Sequence, residues 1–230
     1  MISKRLKRIA DYLVDPIYFA DIGSDHAYLP TFVCSNNPLA RAIAGELNRG
    51  PYERAVQTVK EHNLENKIEV RQGNGLEVLT VGEVNQVVIA GMGGKLIKKI
   101  LEEGKQKLDS VSRLILQPNL DAPLVRKWLH LHSYEITAEE IIEEDGYIYE
   151  LIIADKVEKP VQLDEISFLF GPFLLKEKGD IFQAKWVSEL EKRKRLVKQM
   201  EKATNTPDEK INHLLHEITL IKEVLDDDIG

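Results

Sequence analysis

From residue 17 to about residue 156 the chain alternates short, largely apolar runs with segments of helical length, and this alternation limits the folds open to it. The runs IYFADIG (17–23), RAIAGEL (41–47), KIEVRQG (67–73), QVVIAGM (86–92) and RLILQPN (113–119) are rich in β-branched residues. Between them lie helical patterns such as PYERAVQTVKEHN (51–63) and KLIKKILEEGKQKL (95–108). Strands that are apolar on both faces need cover on both faces, and alternating strands and helices supply it, so a parallel sheet in an α/β fold is expected. The last two strands, 134–145 and 147–155, meet at Gly146 with no helix between them, which predicts an antiparallel hairpin at one edge. The expected sheet has seven mostly parallel strands.

Ahead of the first strand, SKRLKRIADYLV (3–14) reads as a helix with Leu6, Ile9, Ala10 and Leu13 on one face and Ser3 as its N-cap. After Lys159-Pro160 the strand pattern stops. Residues 163–178 are mixed apolar, interrupted at Gly171-Pro172, and two helical stretches follow at about 180–203 and 208–226. Trp186, Leu190, Val197 and Met200 in the first, with Arg193 interrupting, and Ile211, Leu214, Ile218, Ile221 and Leu225 in the second, fall at 3–4 spacing, which predicts an antiparallel, coiled-coil-like α-helical hairpin. Two domains are expected, 1–159 and 160–230.

An apolar share of 43% with 30% charge is ordinary for a globular chain. No run of about 18 apolar residues is present, so no membrane span is expected. One cysteine, Cys34, precludes an internal disulfide and fits a reducing compartment. With no secretion-signal pattern at the start, the cytoplasm is the expected location. The net charge of −7 argues against a general nucleic-acid coat protein but hides two basic patches. Lys4, Arg5, Lys7 and Arg8 form one; Lys192 to Arg195 form the core of the other.

Five short motifs sit where strands end. Asp21-Ile22-Gly23-Ser24-Asp25-His26 follows the first strand, Glu46-Leu47 the second, Gly73-Asn74-Gly75 the third, Ala90-Gly91-Met92-Gly93-Gly94 the fourth, and Gln117-Pro118-Asn119 the fifth. Ligands of open α/β sheets bind beyond the carboxyl ends of the strands. Glycine there lets backbone approach a ligand. A carboxylate such as Glu46 can take two hydrogen bonds from a ribose diol. An Asn amide can pair with an adenine edge. Each motif also has an ordinary reading as a turn, a cap or a solvated strand end. Taken together at one edge of one sheet, they predict a pocket for an adenine, a ribose and a short charged tail. A lone glycine in place of GxGxxG disfavours a dinucleotide.

The motifs DIGSDHAYLP, AGELNRGPYERA, RQGNGLEVL, IAGMGG and LQPN, in this order, resemble the bacterial tRNA (adenosine-22 N1) methyltransferase family, the TrmK type. The likeness is strong over about 3–156 and looser over the hairpin. It implies a class I, Rossmann-like methyltransferase fold, S-adenosyl-L-methionine as methyl donor and tRNA as substrate. By position, Asp21, Gly23 and Asp25 would line the methionine end of the cofactor. Glu46, with Leu47 beside it, would hold the ribose, and Asn74 and Gly75 would face the adenine. Ala90, Gly91, Met92 and Gly93 would border the sulfonium and the target base. The fourth-strand motif departs from the Asn-Pro-Pro-Tyr loop of amino-methylating adenine enzymes, which disfavours N6 chemistry.

Methylation at N1 leaves a positive charge on the ring. Asp25 is the candidate to stabilise it, with His26 as rival and Asn119 as an amide contact; Asp25 as a cofactor ligand alone stays open. Tyr28 is a candidate stacking platform or a core residue. Lys4, Arg5, Lys7, Arg8, Lys95, Arg193 and Arg195 form the expected tRNA footprint, against the alternative of solvated helix faces. No metal is expected, and a monomer is the default. Competing readings are a methyltransferase for another RNA, a protein or a small molecule, a nicotinamide-dependent oxidoreductase, and a non-catalytic scaffold.

Overall fold

A computed structural model describes residues 2–202 and 208–226. The break at Asn205-Thr206-Pro207 and the tail acids Asp227 and Asp228 lie outside the described residues. Two compact units are present, Met1–Phe173 and Leu174–Gly230.

The first unit carries a seven-stranded sheet. Its strands are β1 (Tyr18–Ile22), β2 (Arg41–Glu46), β3 (Ile68–Gln72), β4 (Gln86–Met92), β5 (Arg113–Pro118), β6 (Tyr134–Glu144) and β7 (Tyr147–Lys156). Their spatial order is β3-β2-β1-β4-β5-β7-β6. The first five run parallel; β7 is antiparallel to β5 and to β6. Each predicted strand is present to within a residue or two at its ends. Strand order reverses between β1 and β4, and in open α/β sheets ligands bind beyond the carboxyl ends at such a reversal.

Helices α1 (Lys4–Asp11), α2 (Tyr28–Asn36) and α3 (Arg49–Glu61) contribute to one apolar layer, with Ile9, Val33 and Val59 packed against Phe19, Ala44 and Val88. Helices α4 (Gly94–Glu103) and α5 (Ala122–Leu131) contribute to the other, with Ile97, Leu101, Val125 and Trp128 against Ile22, Ile89 and Leu116. Ser3 does cap α1, accepting from the Leu6 N–H at 3.2 Å. The helix expected to reach residue 108 ends instead at Glu103, and a 3-10 turn over Lys105–Leu108 follows Gly104.

The first unit extends past the expected boundary at 159 to take in α6 (Glu165–Phe170). The cause is a buried ion cluster with no signature in the sequence. Arg126, fully buried, reaches Glu139 at 2.7 Å and Glu150 at 2.6 Å, and its guanidinium also donates to the Phe168 and Leu169 carbonyls at 3.3 Å. Glu139 in turn accepts the Phe173 N–H at 3.0 Å. An arginine with five donors can tie two strands and a following segment together in a way an apolar side chain cannot.

The second unit holds α7 (Leu174–Glu177), α8 (Asp180–Met200) and α9 (Asp208–Asp226). The last two pack against each other. Phe182, Trp186 and Val197 are buried on α8, and Ile218, Leu220, Ile221 and Val224 on α9. Val224 rather than Leu225 closes the buried stripe. Arg193 crosses from α8 to Glu217 on α9 at 2.7 Å and also holds Glu189 at 2.5 Å.

Candidate active site at the carboxyl edge of the sheet

The turn after β1 is the most strained backbone of the sheet edge. Gly23 has φ +71°, and then three successive non-glycine residues, Asp25, His26 and Ala27, adopt φ +40°, +68° and +56° before α2 begins. Left-handed conformations cost about 1–2 kcal/mol each for residues with a Cβ. Such strain persists only where the surroundings over-determine it, and it clusters at functional sites. Two of the surroundings are visible. Gly23 N–H donates to the Gly45 carbonyl at 2.8 Å. The Asp25 N–H donates to a Glu46 carboxylate oxygen in a short bond. A Cβ at Gly23 would lie 2.1 Å from the Met92 Cε, the tip of a flexible side chain, so the turn after β1 and the end of β4 face each other closely.

Two carboxylates are buried here. Asp21 is 5% exposed and Glu46 is 7% exposed. Burial, with the Glu46 charge adding to it, pushes the Asp21 carboxyl up to about 7 against a 2.6 Å hydrogen bond from the Ser24 hydroxyl and the pull of Arg5. Burial likewise raises Glu46, opposed by the Asp25 N–H and aided by the Asp25 charge. Burying two acids near each other is costly unless a cation arrives. This pair of acceptors repels a pyrophosphate and suits a cation carrying a diol.

Asp25 itself presents a different picture from Asp21. Its carboxylate is 76% exposed at the mouth, and His26 Nδ1 lies 3.0 Å from it but off the line a hydrogen bond needs. The His26 ring stacks on Tyr28 with centroids 5.2 Å apart, and His26 Nε2 is 3.3 Å from the Arg54 guanidinium. Tyr28 is half exposed rather than part of the core. Of the remaining motifs, Gly73 N–H donates to the Glu46 carbonyl at 2.9 Å, which brings the Asn74-Gly75 turn beside the end of β2. Asn74 and Leu47 are exposed there. The loop Ala90–Gly93 and Asn119 lie together at the ends of β4 and β5: Asn119 N–H donates to the Met92 carbonyl at 2.8 Å, and its side-chain amide donates to the Gly91 carbonyl at 2.9 Å. Gly94 packs so closely on this loop that a Cβ would sit 2.3 Å from the Asp121 carbonyl oxygen. The five strand-end motifs are therefore joined at one edge, from β3 to β5.

The chain belongs to the tRNA (adenine(22)-N(1))-methyltransferase family, TrmK, whose model matches residues 19–223. A tRNA (adenine(22)-N(1))-methyltransferase of Bacillus subtilis (strain 168) is 44% identical, over 98% of this chain and 97% of its own. A Streptococcus pneumoniae protein solved in complex with S-adenosyl-L-methionine superposes with a TM-score of 0.88 at 42% identity, covering 98% of this chain and 100% of that one. The TrmK of M. capricolum, solved with S-adenosyl-homocysteine, gives a TM-score of 0.85 at 29% identity, with 98% of both chains covered.

The basic residues of the expected footprint divide into two groups. Lys4, Lys7, Lys95 and Arg195 are exposed; Lys95 has only a loose pairing with Asp121 at 3.8 Å. Three arginines are already engaged. Arg8 is bonded by Glu140 and Asp11. Arg193, in the second unit, is 17% exposed and held by two glutamates. Arg5 points inward, onto Gln117. The sequence placed all three among surface cations because a basic run carries no information on which of its members finds an acid or amide from a distant strand. Among the described residues no cluster of His, Cys, Asp or Glu could hold a metal ion, and no helix is long and apolar enough to cross a membrane.

Proposed function

We propose that this chain transfers a methyl group from S-adenosyl-L-methionine to N1 of adenosine 22 of tRNA. Family membership supports the reaction. The observation that carries the cofactor is the pair of buried carboxylates, Asp21 and Glu46, at the β1 and β2 ends beside the left-handed turn at Gly23. When bound, the cofactor supplies an electrophilic methyl group; the N1 lone pair forms the new N–C bond, the S–C electrons remain on sulfur, and the positive charge passes to the ring.

The residues divide the remaining work. Glu46 accepts from the ribose hydroxyls, and Asn74 with Gly75 borders the adenine. Asp21 and Gly23 meet the cationic methionine end. Ala90 to Gly93 line the transfer point, with Asn119 closing it. The exposed Asp25 carboxylate is suited to stabilise the charge left on the methylated base, with His26 and Tyr28 forming a stacking surface beside it. N1 of a paired adenosine faces its partner, so the base must leave its stack, at a cost of a few kcal/mol. Lys4, Lys7, Lys95 and Arg195 are the phosphate contacts. We place the reaction in the cytoplasm, by a monomer.

The test is incubation of the protein with labelled cofactor and unmodified tRNA, followed by nucleoside analysis. N1-methyladenosine at position 22 is the expected product. Label in another nucleoside, or none in tRNA, overturns the assignment.

A further inference from the structure

Arg5 does not face solvent as a phosphate contact would. α1 carries it to the carboxyl edge of the sheet, where its Nη1 donates to the Gln117 side-chain oxygen at 2.5 Å and its guanidinium lies 5.0 Å from the centroid of the Tyr149 ring. Its Nε is buried with no hydrogen-bond partner. Arginine can only donate, so the Gln117 atom it meets must be oxygen, and that fixes which way the amide points. The same oxygen accepts the Gly91 N–H at 3.0 Å. Gln117 Nε2 is thereby turned to Asn119, donating to Oδ1 at 3.0 Å, and Asn119 Nδ2 donates to the Gly91 carbonyl at 2.9 Å. The circuit closes on Gly91, whose N–H and C=O are each held by one side-chain amide.

Gly91 needs such a grip. It sits at a bulge: Ala90 pairs with Gln117 and Met92 with Pro118, so Gly91 has no opposite number in β5. Its φ is +75°. A bulged residue loses its ladder bonds and re-aims the chain. Here the lost bonds are replaced by the two amides, and the amides are oriented by one charged donor. Charge-assisted bonds are the stronger members of such networks.

We propose that Arg5 is a positioning residue for methyl transfer: acting through Gln117 and Asn119, it sets the Gly91–Gly93 loop against the turn after β1. The role rests on the reaction assigned above. The nearby Asp21 carboxyl also feels the Arg5 charge, which supplies a second readout.

Arg5→Met, Arg5→Lys, Gln117→Glu and Lys7→Met are compared by kcat at saturating tRNA, by tRNA affinity across salt, and by hydrogen exchange of residues 91–94 without tRNA. A misplaced reacting geometry costs up to about 100-fold, so Arg5→Met should lower kcat at least about tenfold. Its tRNA affinity and salt slope should stay at the wild-type values. Arg5→Lys should recover part of the rate. Gln117→Glu keeps both accepted bonds but loses the donor to Asn119, and should lower kcat as well. Lys7→Met should instead weaken tRNA binding and make its salt slope shallower. Exchange over 91–94 should rise in Arg5→Met, and the pH midpoint of cofactor binding should move upward. An Arg5→Met protein with normal kcat and weaker, less salt-dependent tRNA binding makes Arg5 a phosphate contact and overturns the proposal. Unchanged exchange over 91–94 overturns it too, and that reading does not depend on tRNA being the substrate. A wild-type enzyme inactive on tRNA would instead refute the reaction, leaving exchange to decide the role of Arg5.

Discussion

The main-chain N–H of Asp25 is bonded to the carboxylate of Glu46, so a left-handed turn after β1 is held by the residue that ends β2. One side chain thus fixes a strained backbone, and in the proposed function its second oxygen serves the cofactor. Replacing it tests both duties. Glu46→Gln retains an acceptor for Asp25 but loses the charge, and Glu46→Ala loses both. Hydrogen bonds to charged groups contribute about 1.5–3 kcal/mol, so cofactor affinity should fall roughly tenfold to a hundredfold in Glu46→Ala and less in Glu46→Gln. Calorimetric titration with the cofactor measures this; equal affinities for all three proteins would remove Glu46 from the site.

The pH dependence of the cofactor-free protein should report Asp21. Its carboxyl is pushed from 3.8 to about 7 by burial first, with Glu46 adding to it. Between those values the folded state holds a proton that the unfolded chain has released. Stability from this group is therefore full below about pH 4 and is lost as pH rises through 7, by an amount on the order of 4 kcal/mol at most. Asp21→Asn keeps an acceptor for Ser24 and has no charge to bury. Its melting temperature should exceed that of the wild type at pH 8 and converge with it near pH 4, while its cofactor affinity falls. Parallel melting curves across pH would exclude a raised Asp21.

Gly23→Ala introduces a Cβ at φ +71° and 2.1 Å from the Met92 Cε. The Met92 tip can swing away; the backbone strain remains. A loss of about 1–2 kcal/mol in stability is expected, together with a displaced Met92 and weakened cofactor binding. Denaturant unfolding beside calorimetry separates the two effects. If Gly23→Ala binds the cofactor normally, the turn after β1 does not border the cofactor.

Arg126→Met removes the single guanidinium that Glu139 and Glu150 share inside the protein. Breaking a buried ion pair from one side costs about 3–5 kcal/mol. The melting temperature should drop by many degrees, and residues 165–173 should gain proteolytic sensitivity because their anchor is gone. A near-neutral Arg126→Met would mean that the cluster can be replaced by apolar packing, as some buried pairs can.

The strand ends, the Ser3 cap, the Gly146 hairpin and the five motifs were all readable in order, because each depends on neighbours within a few residues. The helix predicted to run to residue 108 ends at Glu103, and the reason glycine follows it is tertiary: Leu76 lies 2.4 Å from where a Cβ at Gly104 would be. Arg126, which ties the segment 165–173 to the first unit, looks like any basic residue on a helix until Glu139 and Glu150 surround it.

Alternation of apolar runs with helical segments determined the parallel sheet, and the sheet determined that the five strand-end motifs gather at its carboxyl edge. Periodicity is local, and it survives any arrangement of the rest. Which arginine is a surface charge and which an internal donor was decided only by the folded chain. Arg5 and Gln117 stand 112 positions apart, and Arg193 and Glu217 lie on separate helices. Burial, and the pairing that burial demands, is a property of elements brought together, and no stretch of sequence contains it.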